Sequence, residues 1–414
     1  MKNLVLLATF LGLLVPGAQA QTAATPPVTT DANAGAPANI GFETDAARTP
    51  DYLRALSEAQ PQTVEPFAKL LRVTLTRGTL PPAVKVAMGL AIARDLRNDY
   101  AAQHLERLLR ATPQGAAYLA ELNVAKNEEP RSGALSLPVG YALRLTRDIH
   151  GVDEAYFRRV STAYNDSQIV ELTQTVCTLN YFVRLCAALN LKPEPWLATT
   201  TPAPLPAVPS TDFGPVRVTL ASDAEMNWAA KIVSPTGGDP WGLGVRVFNS
   251  QRAMLRSPEI GAAWMDYWQS VRTGAKVPRS TLLQVSYAVS SANGCRYCIV
   301  HQVVGLRREK VDVAKLLAMQ KDDAALSESE RAAVVFARKL TKNPPQVTPA
   351  DFATLQTAFS GGTAMEIVLQ TCAFSYMNRF TDGLRLPSED EAVHIYKEVY
   401  GDKPPLPARV VGGE

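Results

Sequence analysis

The side chains best suited to chemistry are concentrated in one stretch, Ser291-Ala-Asn-Gly-Cys-Arg-Tyr-Cys-Ile-Val-His301. It contains the only Cys-x-x-Cys of the chain, followed three residues later by a histidine. Residues three apart share a helix face, so Cys295, Cys298 and His301 would form one stripe. Asn293 and Gly294 are expected to start that helix. Both thiols would then lie in the first turn, where backbone amides and the helix dipole favour a thiolate. A thiolate beside a second thiol and an imidazole is suited to redox work. Attack on a peroxide would give a sulfenic acid, which the neighbouring thiol condenses to a disulfide. An external dithiol must then reduce that disulfide by exchange.

The elements that must hold this stripe are helical. The chain has 414 residues, 46% hydrophobic and 20% charged, with a net charge of +3. That balance, without Lys/Arg runs or interleaved aromatics, excludes a nucleic-acid binder. Lys2, the apolar run Leu4–Val15 and the small-residue end Ala18-Gln-Ala20 read as a secretory signal peptide over 1–20. No later stretch is apolar for long enough to span a bilayer, so no membrane association is expected after cleavage. The mature protein is expected to be periplasmic or secreted. Its five cysteines, Cys177, Cys186, Cys295, Cys298 and Cys372, would then meet an oxidising compartment. Cys177 and Cys186 lie nine residues apart on one expected helix, ~13 Å of rise, too far for a disulfide.

Residues 21–48 read as a disordered lead-in, 49–192 as a helical block, and 193–245 as a Pro-rich linker with an irregular segment. A short strand is expected at Val216–Leu220. A second helical block follows over 246–400, and 401–414 form a loose tail. The two blocks read as one block written twice. Pro81, Tyr100, His104 and Leu109 match Pro278, Tyr297, His301 and Leu306 at a constant shift. Past a two-residue indel, Thr146, Glu171, Cys177, Tyr181 and Arg184 match Thr341, Glu366, Cys372, Tyr376 and Arg379. Chance would not keep these residue types in one order. At the stripe, Cys295 and Cys298 face Asn98 and Ala101, while His104 faces His301. The first block is therefore expected to be structural, a partner that covers or shapes the second block's site.

On these residues the chain resembles the alkylhydroperoxidase-D / carboxymuconolactone decarboxylase family. The resemblance rests on the helix Leu282–Ser291, on Asn293-Gly-Cys-Arg-Tyr-Cys298 with His301, on Leu326–Thr341, and on Phe374–Arg379. It covers 250–387, with a degenerate copy over 51–191. It implies an all-α fold, here a tandem pair of helical-bundle domains forming an intramolecular pseudo-dimer, in a family that assembles into homo-oligomers. It also implies that Cys298 attacks the peroxide, that Cys295 resolves the product, and that His301 joins a proton relay. The family's relay glutamate, about a dozen residues before the first cysteine, is missing: Thr281–Ala292 holds no carboxylate. Gln284 is the nearest polar stand-in, and Glu366 or Asp382 could supply an acid instead.

The expected function is thus a thiol-dependent peroxidase with a peroxide or small organic substrate, an unidentified dithiol reductant and no cofactor. Three other readings stay open. One is a decarboxylase-type lyase, which does not require the thiol pair. Another is a static Cys295–Cys298 staple in an exported scaffold. The third is a metal site on Cys295, Cys298 and His301, which lacks the second ligand pair that structural zinc commonly uses. His104, His150 and His394 are expected to serve packing or to lie at the surface.

Overall fold

A helix buried on every side needs apolar or small residues all round. The two longest helices, Asp166–Ala188 and Thr363–Gly383, have that composition and lie against each other at the centre. Their threonines return hydroxyl hydrogen bonds to the carbonyl one turn back. Thr173 bonds Ile169, Thr175 bonds Glu171, Thr371 bonds Ile367 and Thr381 bonds Met377. The hydroxyls are thereby satisfied where water is excluded. Side-chain caps mark where the polypeptide enters the helices around them. Asn165 with Gln168, Ser327 with Glu330 and Thr348 with Asp351 form reciprocal capping boxes.

The computed structural model describes residues 49–126, 128–197, 220–222, 225, 248–321, 325–360 and 362–401. Among these residues the structure is helical, with short 3-10 turns and no strand. None of the helices is long and apolar enough to cross a membrane. The expected signal peptide, the lead-in, most of the linker, the strand at Val216–Leu220 apart from its last residue, and the tail beyond Gly401 lie outside the described residues.

One hydrophobic core runs from Tyr52 to Leu386 and draws on both helical blocks. Contacts across it are reciprocal. Arg184 donates to the carbonyl of Thr341 at 3.5 Å, and Arg379 donates to the carbonyl of Thr146 at 2.9 Å. Lys69 pairs at 2.9 Å with Asp266, 197 residues further on, which is its own counterpart in the second block. Two copies related by a two-fold axis would make such contacts, with equivalent residues meeting at the axis. Glu171 accepts the backbone amides of Thr79 and Leu80, and Glu366 accepts those of Lys276 and Val277. Each glutamate ties an interhelix turn to the central helix of its block.

Cys177 and Cys372 are fully buried in this core. Burial pushes both up, Cys372 to about 12, so both are packed thiols. Cys186 is likewise a buried, free cysteine.

Candidate active site

The cysteine turn is made by the end of one helix and the start of the next. Arg279–Asn293 closes on Gly294, whose φ of 74° is left-handed, and the Cys295 amide returns to the Ser290 carbonyl at 2.9 Å. Asn293 and Gly294 therefore end the preceding helix and do not start the next one. The physical reason is the positive φ, which terminates a helix and is easiest for glycine. Cys295 itself is the N-cap of Arg296–Arg308, and its sulfur accepts the Cys298 amide at 3.4 Å. The turn rests on a polar ladder. Asn293 donates to Asn378 at 2.9 Å, and Asn378 donates to Ser290 at 3.1 Å.

The thiols sit against the end of the central helix Thr363–Gly383. Cys295 is fully buried and Cys298 is 3% exposed. The Thr381 hydroxyl lies 3.4 Å from the Cys295 sulfur and 3.5 Å from that of Cys298, bridging the pair. The Cys295 thiol donates to Asp382 Oδ1 at 3.2 Å. The other oxygen of Asp382 takes the Arg296 amide at 3.3 Å and meets Nε2 of His150 at 2.9 Å. His150, which comes from the first block, lies at the surface as expected and from there reaches Asp382. Burial, the Cys298 contact and the Asp382 charge together push Cys295 well above the ordinary thiol range, and the Thr381 contact opposes them only in part. Cys295 is thus a protonated donor despite its place at a helix N-terminus.

His301 is held at both ring nitrogens. Nδ1 lies 2.7 Å from the Tyr297 carbonyl, which can only accept, so Nδ1 carries a proton. Nε2 approaches Glu389 Oε2 at 2.5 Å. Neither atom has a hydrogen-bond partner, so the attraction is chiefly electrostatic. Glu389 also takes the Tyr297 hydroxyl at 3.1 Å and the Asn249 amide at 2.7 Å. Burial alone would raise the Glu389 carboxyl, but His301 and the backbone donors outweigh it and hold it below the usual range.

The expected relay residues fall elsewhere. Glu366 lies on the same helix as Asp382 but sixteen residues away, ~24 Å along the axis, where it holds the Lys276–Val277 turn. Gln284 donates to Glu330 at 2.8 Å, and Lys315 contacts the same carboxylate. Neither touches a thiol. Asp382 is the acid that does. Sequence reasoning named it without a position, and it missed Glu389, Thr381, Asn378 and His150. The sequence held a signal for Glu389, which matches Glu194 at the shift that pairs Glu366 with Glu171. With both His301 nitrogens engaged, the Cys/Cys/His set does not converge, and no group of three metal-ligating side chains occurs among the described residues.

Residues 258–339 match the carboxymuconolactone decarboxylase family, in agreement with the resemblance carried by the cysteine turn. No curated protein matches the chain. Among solved structures, the chain is similar to the debrominase Bmp8. A cysteine-to-alanine variant of Bmp8 in complex with 2,3,4-tribromopyrrole is 20% identical, with a TM-score of 0.40, covering 44% of this chain and 97% of that one. Apo Bmp8 is 22% identical over the same shares, with a TM-score of 0.39.

Proposed function

We propose that this protein is a thiol-dependent peroxidase in which Cys298 attacks a small peroxide and Cys295 resolves the product. The observation that carries this reading is the contact of Cys295 with both Cys298 and a carboxylate, Asp382. The Cys298 thiolate attacks the terminal peroxide oxygen: the S–O bond forms as the O–O bond breaks, the other oxygen takes up a proton and leaves as alcohol or water, and Cys298 is left as a sulfenic acid. Cys295 then attacks the oxidised sulfur. Its proton passes to Asp382, and the hydroxyl leaving Cys298 takes up a proton and departs as water. The Cys295–Cys298 disulfide that remains is reduced by an external dithiol, which is oxidised in turn.

The assignment of roles follows from protonation. A resolving thiol can stay protonated until its partner is oxidised, provided a base is in contact, and Cys295 has one. Cys298 at 3% exposure suits a small oxidant such as hydrogen peroxide. Tyr297 and His301 on this helix, with Glu389 at the start of Asp390–Tyr400, fix its entry. The expected export would set this chemistry in an oxidising compartment, with a dithiol reductant supplied there. The helical blocks are read as two copies of one unit, the first of which serves the second.

The test is turnover of hydrogen peroxide with dithiothreitol as reductant. Turnover by the parent and none by Cys298→Ser is expected. A Cys298→Ser protein as active as the parent would remove the thiols from the reaction and return the chain to the lyase or scaffold readings.

A further inference from the structure

The acid at the resolving thiol has a second neighbour, supplied by the other half of the molecule. His150 lies in the turn after Ser136–Arg147, and its side chain is 31% exposed, whereas Asp382 is 9% exposed. A file of groups therefore leads from the buried Cys295 sulfur through Asp382 to an imidazole at the solvent edge, with steps of 3.2 and 2.9 Å. Asp148 flanks the far side of the ring, 3.6 Å from Nδ1, and its own backbone stretch is anchored where Arg379 reaches the Thr146 carbonyl.

The two blocks differ at both members of this file. In the first block, where the cysteine positions hold Asn98 and Ala101, Ala187 occupies the place of Asp382, and Pro345 in the second block occupies the place of His150. The aspartate and the histidine thus occur together on the side with thiols and are both absent on the side without them.

We propose that His150 is a positioning residue for the resolving step, orienting the Asp382 carboxylate toward Cys295 and passing the proton that Asp382 receives on to solvent. The inference rests on the thiol reading above. During closure the S–H bond of Cys295 and the S–O bond of the Cys298 sulfenic acid break and the S–S bond forms, the hydroxide leaving Cys298 taking up a proton and departing as water. The Cys295 proton goes to Asp382 and then to Nε2 of His150, and a proton leaves Nδ1 to water. The groups facing this path are Cys295, Cys298, Asp148 and Asp382, with the Arg296 amide on Asp382 and Arg379 near Asp148.

The experiment is single-turnover oxidation of the reduced full chain with hydrogen peroxide, quenched by alkylation and read by mass spectrometry, which separates sulfenic acid at Cys298 from the disulfide. His150→Ala is expected to form sulfenic acid at the parental rate and to close the disulfide about tenfold more slowly near neutral pH. His150→Gln, which keeps a hydrogen bond but cannot carry a proton, should be equally slow, and closure by it at the parental rate would overturn the relay. The deficit should shrink at high pH, where hydroxide ionises Cys295 directly, and added imidazole should restore part of the rate to His150→Ala. A merely structural role would show neither pH recovery nor imidazole rescue, and either absence would overturn the relay. So would closure by His150→Ala at the parental rate. Oxidised glutathione as a second probe measures closure alone, by release of glutathione from the mixed disulfide at Cys298. If peroxide gives no sulfenic acid in the parent, the peroxidase reading fails, while the glutathione arm still decides the relay.

Discussion

The two helical blocks make the same turn with different residues. In the first, Arg97 takes the left-handed conformation at φ 50°, and Asn98 caps the next helix by accepting the Ala101 amide at 2.9 Å. In the second, Gly294 and Cys295 hold those places, and a sulfur accepts the amide. Behind the turn both blocks carry a Tyr–His–Glu trio. Tyr100 donates to Glu194 at 2.6 Å, His104 lies 3.0 Å from the same carboxylate, and the Asp51 amide completes it at 2.7 Å. Tyr297, His301, Glu389 and the Asn249 amide repeat the arrangement. A trio that persists in the block without thiols has an architectural duty: it ties the helix after the turn to the start of its own block. The differences lie on the other side of the sulfurs. Asp382 replaces Ala187, Thr381 replaces Cys186, and the ladder Ser290, Asn378, Asn293 replaces Ala93, Val183, Leu96. Polarity is concentrated where the thiols need a base and a rigid turn, and the corresponding volume of the first block is apolar.

The comparison can be broken most sharply at the sulfurs. Cys298→Ser should abolish peroxide turnover, and Cys295→Ser should halt after one oxidation with sulfenic acid accumulating, both read by peroxide consumption and mass spectrometry. Installing cysteines at Asn98 and Ala101 should not create a second peroxidase, because Ala187 offers no base; activity gained by that double variant alone would contradict the role given to Asp382. Next in size, Asp382→Asn should slow disulfide closure by about 100-fold while leaving the first oxidation intact.

The shared trio is expected to respond equally in both blocks. Glu194→Gln and Glu389→Gln should each cost about 2–4 kcal/mol in urea unfolding, since each leaves a buried imidazole without its carboxylate. A cost confined to one block would show that the trios differ in duty. Burial raises each of these carboxyls, but the histidine and the hydrogen-bond donors around it outweigh that and leave both below the ordinary range. A depressed folded value means stability that is present above the unfolded value of about 4.3 and is lost as the pH falls through the folded one. Acid unfolding of the parent should therefore steepen below about pH 4, and the double Glu→Gln variant should lose that dependence. The smallest effect belongs to Lys69–Asp266. Its side chains are 41% and 35% exposed, so Lys69→Ala should cost no more than about 0.5 kcal/mol.

Much of this was legible in the chain itself. Helical periodicity and alanine-rich runs marked an all-α fold, and ordered agreement between the blocks showed that the cysteine pair occurs in the second alone. The Cys295–Cys298 pair was visible because its spacing is local, within a single helical turn. Asp382 could be named as a candidate but not placed, because it lies 87 residues beyond Cys295. Glu366 looked equally eligible, being a buried carboxylate on the same helix. Only the axial rise between them separates a turn-holding residue from one that touches sulfur.

His150 shows the same boundary more strongly. It is 232 residues from Asp382, has no motif around it, and meets it only because residues of both blocks share one core. Spacing along a helix is a property of covalent geometry and can be read from a sequence. Which carboxylate meets which thiol across a core depends on how two surfaces seat against each other. The sequence determined the helices, the ordered agreement between the two blocks and the Cys295–Cys298 pair; the tertiary structure decided which carboxylate and which imidazole that pair meets and how deeply it is buried, since burial and cross-block proximity exist only in the folded chain.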